Sequence, residues 1–214
     1  MPPTFHCQTC STPFDVPQAA IDKYPGWKPK YCRDHSPKKQ AGSAPRKRNS
    51  RPRSEENLTL SEVLEKYTEG PANGVFTDGS SSPNPGPGGW GVVWAQDGEP
   101  KEALHGRDDA TTNNRMELRA LIEAYKMLPE DETVPVLTDS RLCVDTITKW
   151  APNWEKKGWT KKGGPIKNLE LIQELLALYR AHPNCPLEWI AAHSGNRWNE
   201  YADSLATAWM RKEL

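Results

Sequence analysis

Four carboxylates in separate parts of the chain could act together as metal ligands. They are Asp78, Glu117, Asp139 and Asp203, and each lies beside a different predicted helix or strand. If the fold brings them together, their charges repel one another unless a divalent cation lies between them. Oxygen ligands of this kind suit Mg²⁺ or Mn²⁺. The pattern therefore predicts a metal-dependent enzyme that acts on phosphate groups.

The elements that would position these carboxylates follow from the pattern of apolar residues. Strands are predicted over 75–77, 90–95, 101–106, 134–137 and 187–192. Helices are predicted over 113–128, 140–150, 167–181 and 198–212, and a turn-rich loop over 83–89. This mixed order indicates an α/β sheet with helices on its faces. Asp78 and Asp139 both follow predicted strands, so they would meet at one sheet edge if those strands are parallel neighbours.

Each candidate residue also has an ordinary structural explanation when it is taken alone. Asp78 precedes a glycine and could serve a turn, while Asp139 could cap a helix. Glu117 and Asp203 could be exposed helix residues. His193, in the loop after the last predicted strand, could move protons near neutral pH or simply be held by a backbone carbonyl. The ordered combination favours function.

Several motifs in the same stretch together resemble ribonuclease HI. They are Asp78-Gly79-Ser80, Asn84-Pro85-Gly86-Pro87-Gly88-Gly89, Thr111-Thr112-Asn113-Asn114-Arg115-Met116-Glu117-Leu118, Thr138-Asp139-Ser140, and His193-Ser194-Gly195 followed by Asn199-Glu200 and Asp203. The resemblance covers roughly residues 74–211. It implies a five-stranded mixed sheet flanked by helices.

The activity that this resemblance implies is endonucleolytic cleavage of the RNA strand of an RNA/DNA hybrid, leaving 5′-phosphate and 3′-hydroxyl ends. It assigns catalysis to the four carboxylates and His193. The carboxylates would hold two Mg²⁺ or Mn²⁺ ions about 4 Å apart, one activating the attacking water and the other stabilising the leaving oxygen. The alternative is an RNA/DNA-binding protein whose nuclease domain is catalytically silent. A related exonuclease or a nuclease of retroelement origin is a third hypothesis.

The resemblance also places polar residues against the hybrid, whose 2′-hydroxyls distinguish RNA from DNA. Asn84, Asn113 and Asn114 would contact the minor groove and the backbone, and Glu117 would also touch a 2′-hydroxyl. The asparagines suit turns and helix caps as well, and both roles can hold together. Thr112 and Arg115 would help to hold a phosphate of the DNA strand.

The segment from Trp150 to Lys167 interleaves aromatic and basic residues and resembles the basic protrusion of bacterial and animal-type family members. Lysines neutralise phosphates, and tryptophan packs against sugar or base. The predicted contacts are Trp150, Lys156, Lys157, Trp159, Lys161 and Lys162. The alternative is a set of core tryptophans with a solvated lysine face, and Trp154 in particular could be structural. Arg141 stands where a glutamine is common in the bacterial enzyme that the chain resembles. Arginine cannot accept a hydrogen bond, so a contact with a base at this position could become a phosphate contact.

The first 36 residues contain a candidate metal site of another kind. Two residues separate Cys7 from Cys10 and Cys32 from His35, which is the spacing of zinc ligands. A segment of this size cannot bury a sufficient core without such a staple. We predict a zinc-ribbon-like module with a structural Zn²⁺, and His6 is a competing ligand. Cys143 and Cys185 are isolated and are expected to be buried.

Composition divides the chain into a module over 1–36, a basic disordered linker over 37–57, a short helix over 58–70 and a catalytic domain over 74–214. The zero net charge conceals an asymmetry. Residues 1–73 carry 12 basic and 8 acidic side chains, whereas residues 74–214 carry 16 and 20. This division suggests a basic arm that helps a catalytic body to reach a polyanion, although a solvated linker would have the same charge.

No apolar run is long enough to span a bilayer, and the N-terminus lacks the pattern of a signal peptide. We therefore expect a cytoplasmic, nucleoid-associated monomer that binds RNA/DNA hybrids and has no membrane partner. The tract over 45–53 could also direct a eukaryotic protein to the nucleus. The N-terminal module could bind nucleic acid or dock to a protein.

Overall fold

The computed structural model describes residues 3–23, 26–35, 57–211 and 214. The chain forms two compact units, Met1–Glu55 and Glu56–Leu214. In the part of the chain that is described, no helix has the length and apolarity needed to cross a membrane. The predicted linker over 37–57 lies outside the described residues, apart from Asn57.

The first unit is a small antiparallel hairpin followed by a short helix. Strands β1 (Thr4–His6) and β2 (Pro13–Asp15) pair with Phe5 opposite Phe14, and α1 spans Gln18–Lys23. Among the described residues of this unit, the buried apolar side chains are Cys7 and Val16. So small a core provides little hydrophobic stabilisation, which agrees with the expected need for a metal staple.

The second unit is built on a five-stranded mixed sheet, as predicted. Its strands are β3 (Gly74–Ser81), β4 (Gly86–Gln96), β5 (Glu99–Thr111), β6 (Val136–Thr138) and β7 (Leu187–Trp189). Their order in the sheet is β5-β4-β3-β6-β7. The first three strands are antiparallel neighbours, while β6 and β7 run parallel to β3. The crossover to a parallel strand brings the ends of β3 and β6 together at one edge of the sheet.

Helices cover both faces of this sheet. They are α2 (Leu60–Lys66), α3 (Asn113–Met127), α4 (Arg141–Asp145), α5 (Ala151–Lys156), α6 (Leu169–Ala181) and α7 (Arg197–Thr207). A π-helical turn over Thr146–Trp150 joins α4 to α5, and a 3₁₀ turn over Ala208–Met210 follows α7. Successive residues of β3 point to opposite faces of the sheet and enter different cores. Val75 packs with α3 and α6, whereas Phe76 packs with α2 and α7.

The predicted short helix before the sheet packs as part of the second unit. Thr59 and Glu62 form the expected capping box at the start of α2. Val63 is buried in the same cluster as Trp198 of α7, and Leu58 packs against that cluster. The free energy that holds α2 in place therefore comes mainly from burial against α7, since so short a helix is marginal on its own.

Several predicted boundaries were wrong. Strand β4 begins at Gly86, so half of the loop predicted over 83–89 belongs to the sheet. Pro87 lies where the β4–β5 register is irregular, and the missing backbone N–H is tolerated there. Strand β7 ends at Trp189 rather than at residue 192, and the helix predicted over 140–150 continues through the π-helical turn to Lys156.

Candidate active site and N-terminal metal centre

Asp78 and Asp139 lie side by side at the end of the parallel strand pair. Thr77 of β3 is opposite Thr138 of β6, and each carboxylate comes directly after its threonine. Burial raises the pKa of Asp78 well above its usual value, and the charges of Asp139 and Asp203 raise it further. The Asp139 and Asp203 side chains therefore lie close enough to Asp78 to act on its carboxylate.

Glu117 reaches this edge because α3 packs directly against β3. A Cβ atom on Gly79 would lie 2.1 Å from the backbone nitrogen of Glu117, so any side chain there would push the helix away. The Ser140 hydroxyl donates a hydrogen bond of 2.6 Å to Glu117 Oε2, and the Cys143 thiol lies 3.7 Å from the same oxygen. Burial raises the pKa of Glu117, and the negative charge of Asp139 raises it further. The hydrogen bond from Ser140 lowers this pKa and offsets part of the rise.

Asp203 comes from α7, which packs closely on β4. A Cβ on Gly91 would lie 2.4 Å from the carbonyl oxygen of Ala202, so glycine permits the close approach. The side chain of Asn199, one turn earlier on α7, is buried and donates to the Asp139 carboxylate. This hydrogen bond lowers the pKa of Asp139 and partly offsets the rise caused by burial. Asn199 therefore connects α7 to the end of β6.

His193 lies in an exposed loop beside the carboxylates. Its backbone has a φ of +47°, in the left-handed region, and its Nδ1 is 3.9 Å from Glu200 Oε2. The charge of His193 lowers the pKa of Asp139, so the ring lies close enough to interact with that carboxylate. Glu200 is buried and can hold the ring in orientation.

The four carboxylates fit a divalent cation by the chemistry of their oxygens and by their charge. Burial raises the pKa of Asp78, Glu117 and Asp139, and negative neighbours add to the rise for Asp78 and Glu117, which is the electrostatic state that a bound cation relieves. Four carboxylates are enough to supply bridging and terminal ligands to two cations about 4 Å apart.

The asparagines predicted to bind the substrate make hydrogen bonds that connect the elements around the site. Asn113 Oδ1 accepts hydrogen bonds from the backbone N–H and the hydroxyl of Ser81, at 2.7 and 2.9 Å. Asn84 Oδ1 accepts from the backbone N–H of Asn113 at 3.4 Å. Asn114 Oδ1 accepts from the Asn168 amide at 2.7 Å. The amide oxygens thus join the loop after β3 to α3 and α3 to α6.

Thr112 and Arg115 lie at the start of α3. The Thr112 hydroxyl caps the helix by accepting from the Arg115 backbone N–H at 3.3 Å. The Arg115 guanidinium donates to Glu170 Oε1 at 2.7 Å. With Arg107 and Arg119 it lines a cleft of about 280 Å³, whose lining also includes Trp90 and Asp108. No sequence motif indicated Arg107 and Arg119 as candidates, although Arg119 follows Arg115 by one helical turn.

The segment predicted to form a basic protrusion is partly structural. Trp150 is exposed and its ring centroid lies 6.1 Å from that of Trp154, which packs against the core as Trp159 does. Lys161 Nζ lies 5.6 Å from the Trp154 ring centroid. Trp150, Trp154 and Lys161 line a pocket of about 220 Å³ that also includes Asn114. The other predicted contacts, Lys156, Lys157 and Lys162, are exposed.

Arg141, which the sequence indicated as a possible phosphate contact, forms an exposed pair with Trp189 beside Asp139. The Trp189 indole N–H donates to the backbone carbonyl of Asp139 at 3.1 Å. The Arg141 guanidinium lies 5.0 Å from the Trp189 ring centroid. Arg141 therefore stacks on an aromatic ring next to the carboxylates, and no pattern in the sequence links these two positions.

In the first unit, the predicted zinc ligands form one compact group. The ligand atoms of Cys7, Cys10, Cys32 and His35 all lie within 4.8 Å of one another. The Cys10 and Cys32 sulfurs are 3.9 Å apart, and Cys32 Sγ is 3.1 Å from His35 Nδ1. Three sulfurs and one imidazole suit tetrahedral zinc. His6 is not part of this group.

Cys7 is prepared for ligation by its surroundings. Although burial alone raises the pKa of this thiol, hydrogen bonds from the backbone of Cys32, Cys10 and Thr9 lower it to about 6. The thiolate is the form that binds a metal. By contrast, burial raises the pKa of the Cys143 thiol, and both Cys143 and Cys185 are buried as expected.

Comparison with known proteins agrees with this architecture. A family model described as RNase H matches residues 71–211. Ribonuclease H of Agrobacterium fabrum is 48% identical over 133 residues, covering 62% of this chain and 90% of the relative. Ribonuclease H of Alcanivorax borkumensis is 44% identical over 133 residues, covering 62% and 87%. Among solved structures, LC9-RNase H1, a type 1 RNase H with the type 2 active-site motif, is 34% identical with a TM-score of 0.50, covering 65% of this chain and 74% of its own. The chain therefore belongs to the ribonuclease H family.

Proposed function

We propose that the second unit hydrolyses the RNA strand of RNA/DNA hybrids endonucleolytically, with two divalent cations, and leaves 5′-phosphate and 3′-hydroxyl ends. The observation that carries this proposal is the convergence of Asp78, Glu117, Asp139 and Asp203 at the end of the β3–β6 strand pair. Their oxygens, and the raised pKa values of Asp78, Glu117 and Asp139, suit a hard divalent cation such as Mg²⁺ or Mn²⁺. Bound cations supply Lewis-acid chemistry to water and phosphate.

The proton chemistry falls to His193. This side chain is exposed, lies beside Asp139 and is faced by the Glu200 carboxylate. An imidazole there can take a proton from the attacking water or give one to the leaving oxygen. Asn199 and Ser140 have a positioning role, because they hold the Asp139 and Glu117 carboxylates.

Selection of a hybrid requires groups that sense the 2′-hydroxyl on one strand and a phosphate on the other. Asn84 and Asn113 are exposed near the carboxylates. Their Oδ1 atoms accept the hydrogen bonds described above, so their NH₂ groups could donate to the substrate. Arg115, Arg107 and Arg119 line a cleft that suits a phosphate of the DNA strand. Trp150 and the exposed lysines of the protrusion extend this surface.

The competing function is a catalytically silent protein that binds hybrids. Such a protein has no need for four acidic side chains facing one another, since removing them would relieve repulsion and improve attraction for phosphate. The intact set of carboxylates therefore favours cleavage.

The test is to assay the Asp78→Asn variant beside the wild type on a hybrid with end-labelled RNA. We expect endonucleolytic products from the wild type in Mg²⁺, none in chelator, and a loss of at least about 100-fold in the variant. Asp131→Asn, an exposed aspartate in a turn, is the matched control. Equal cleavage by wild type and Asp78→Asn would reject the assignment, and cleavage of single-stranded RNA as fast as the hybrid would reject the substrate.

We also propose that Cys7, Cys10, Cys32 and His35 hold a structural Zn²⁺ in the first unit. Metal analysis of the purified protein should give one zinc per chain. His35→Ala should lose this zinc, whereas His6→Ala should keep it, because His6 lies outside the ligand group. Full zinc content in His35→Ala would exclude this ligand set.

A further inference from the structure

We propose that the N-terminal unit binds unpaired nucleotides, with Trp27 and Tyr31 as stacking surfaces. This inference rests on the zinc site proposed above and is independent of hydrolysis by the second unit. It assigns a ligand class to the N-terminal unit, which lies outside the matched RNase H region.

The first observation is the exposure of two large aromatic side chains in a very small unit. Trp27 is 47% exposed and Tyr31 is 37% exposed. The described core of this unit consists of Cys7 and Val16, so burying either ring would have increased it substantially. Two large rings left in solvent in so small a unit are available to stack on a planar ligand.

The second observation is that the segment carrying these rings is fixed in place. The Gln8 backbone N–H donates to the Lys30 carbonyl at 2.8 Å, which ties the segment to the turn between Cys7 and Cys10. Cys32 follows Tyr31 directly and belongs to the proposed zinc site. Zinc would therefore hold the rings in one arrangement, and a preorganised surface loses less conformational entropy when it binds.

The third observation is the charge of the sequence that carries the rings. From Lys23 to Arg53 the sequence has 11 lysines and arginines and one acidic residue, Asp34. Lys28, Lys30 and Arg33 of this tract are described and exposed. So one-sided a charge selects a polyanion, and contact with its phosphates depends strongly on salt.

The combination of rings and positive charge favours unpaired nucleic acid over other polyanions. A flat aromatic ring stacks on a base only where that base has left the duplex, and such stacking is tolerant of sequence. An acidic protein segment would satisfy the charges but would leave the ring faces without a matching planar partner. We therefore expect the N-terminal unit to prefer single strands and single-stranded regions beside a hybrid.

The experiment measures binding of labelled oligonucleotides to the full-length, zinc-loaded chain by fluorescence anisotropy. The ligands are a single-stranded 15-nucleotide DNA, a blunt hybrid, and the same hybrid with a single-stranded extension. Asp78→Asn serves as the background for the hybrids so that they stay intact. The variants are Trp27→Ala, Tyr31→Ala and their double substitution, with Gln18→Ala, an exposed residue of the same unit, as control.

Each aromatic substitution should weaken binding of the single strand by about 5-fold or more, corresponding to about 1 kcal/mol per stacked base. The double variant should also lose the preference for the extended hybrid over the blunt one. Unchanged affinity for the single strand at full zinc content would overturn the proposal. Equal losses on blunt and extended hybrids would overturn the preference for unpaired bases.

If Trp27→Ala loses zinc, its weaker binding could reflect a damaged fold. Two further measurements then test the proposal. Trp27→Phe retains a ring and should retain most of the affinity. Lys28→Gln with Lys30→Gln should lower the dependence of log Kd for the single strand on log salt concentration by about 1.4, or about 0.7 for each phosphate contact. A full salt dependence in that variant, or binding to an acidic peptide with no binding to the single strand, would reject nucleic acid as the ligand.

Discussion

Ser140 donates a hydrogen bond of 2.6 Å to the Glu117 carboxylate. The same hydroxyl accepts from the backbone N–H of Cys143 at 3.4 Å and so caps α4. Ser140, which directly follows Asp139, therefore links the Glu117 carboxylate of α3 to the start of α4. The geometry of the site depends on this connection as well as on the ligands themselves.

Replacing Ser140 by alanine should impair the site without removing a ligand. The hydrogen bond lowers the pKa of Glu117, so its loss raises that pKa, and deprotonation of Glu117 requires a higher pH. The acid limb of the pH–activity profile should move to higher pH, and more Mg²⁺ should be needed for half-maximal activity. Loss of the helix cap should cost about 1 kcal/mol. Ser61→Ala, at an exposed serine on α2, is the control, and a wild-type pH profile for Ser140→Ala would contradict this role.

The Asp78→Asn variant should be more stable than the wild type when divalent metal is absent. Burial and the charges of Asp139 and Asp203 raise the pKa of Asp78 in the folded protein, so the folded state binds more protons than the unfolded state above about pH 4. By linkage, the free energy of unfolding of the wild type falls as the pH rises through this window. Asparagine does not ionise and avoids the loss, which amounts to about 1.4 kcal/mol per unit of pKa shift.

Urea unfolding in chelator, from pH 4 to pH 8, measures this difference. The difference between the two proteins should be smallest at the acid end, where Asp78 of the unfolded wild type also begins to bind a proton. Added Mg²⁺ should stabilise the wild type by mass action and narrow the gap. A wild type that is the more stable protein at pH 7 in chelator would show that the carboxylates do not repel one another as described.

The sequence predicted the features that depend on local pattern or on recognisable motifs. The capping box of Thr59 and Glu62 lies within one helical turn, and the ligand spacing of the N-terminal cysteines is local in the same sense. By contrast, Ser140 and Glu117 are 23 residues apart, and their contact exists only because β3 and β6 are neighbours. Strand β4 begins earlier than predicted because pairing with β3 and β5 overrides the turn preference of its glycines and proline.

Gly79→Ala should disrupt the site through the backbone. The added Cβ would meet the Glu117 nitrogen and the Met116 carbonyl carbon at 2.1 and 2.2 Å, where nothing flexible can yield. We expect a loss of about 3 kcal/mol in stability and a severe loss of cleavage, because α3 must move with Glu117. Gly98→Ala is the control: its φ is +82° and its Cβ would meet nothing within 4 Å. It should cost about 1 kcal/mol through strain and leave cleavage intact. Equal effects of both variants on cleavage would contradict the proposed close packing.

His193→Asn should lower kcat by about 100-fold while changing KM little, because the imidazole acts on protons rather than on binding. Asparagine tolerates the left-handed backbone at this position, with its φ of +47°, so the loop should keep its conformation. Loss of the nearby charge should also raise the pKa of Asp139. Steady-state kinetics at several pH values measure both effects. A large rise in KM with kcat retained would identify His193 as a binding residue instead.

Arg115 should prove to be a phosphate contact restrained by Glu170. Its guanidinium donates to Glu170 Oε1 at 2.7 Å, in an ion pair whose partners are 36% and 63% exposed. Arg115→Ala should weaken hybrid binding and lower the salt dependence of log Kd by about one. Glu170→Gln should strengthen binding by up to about 5-fold. In the wild type, Arg115 must give up an exposed ion pair worth about 0–1 kcal/mol before it can bind a phosphate, and the variant removes this cost.

Both substitutions should be measured in the Asp78→Asn background, so that the hybrid is not cleaved during titration. Lys126→Ala is the matched control, because Lys126 forms a similar ion pair with Glu174 at 2.7 Å and lies on the last turn of α3, away from the cleft. It should leave affinity and salt dependence unchanged. If Glu170→Gln weakens binding as much as Arg115→Ala does, the ion pair orients Arg115 rather than competing with phosphate, and the cleft acts as a preformed site.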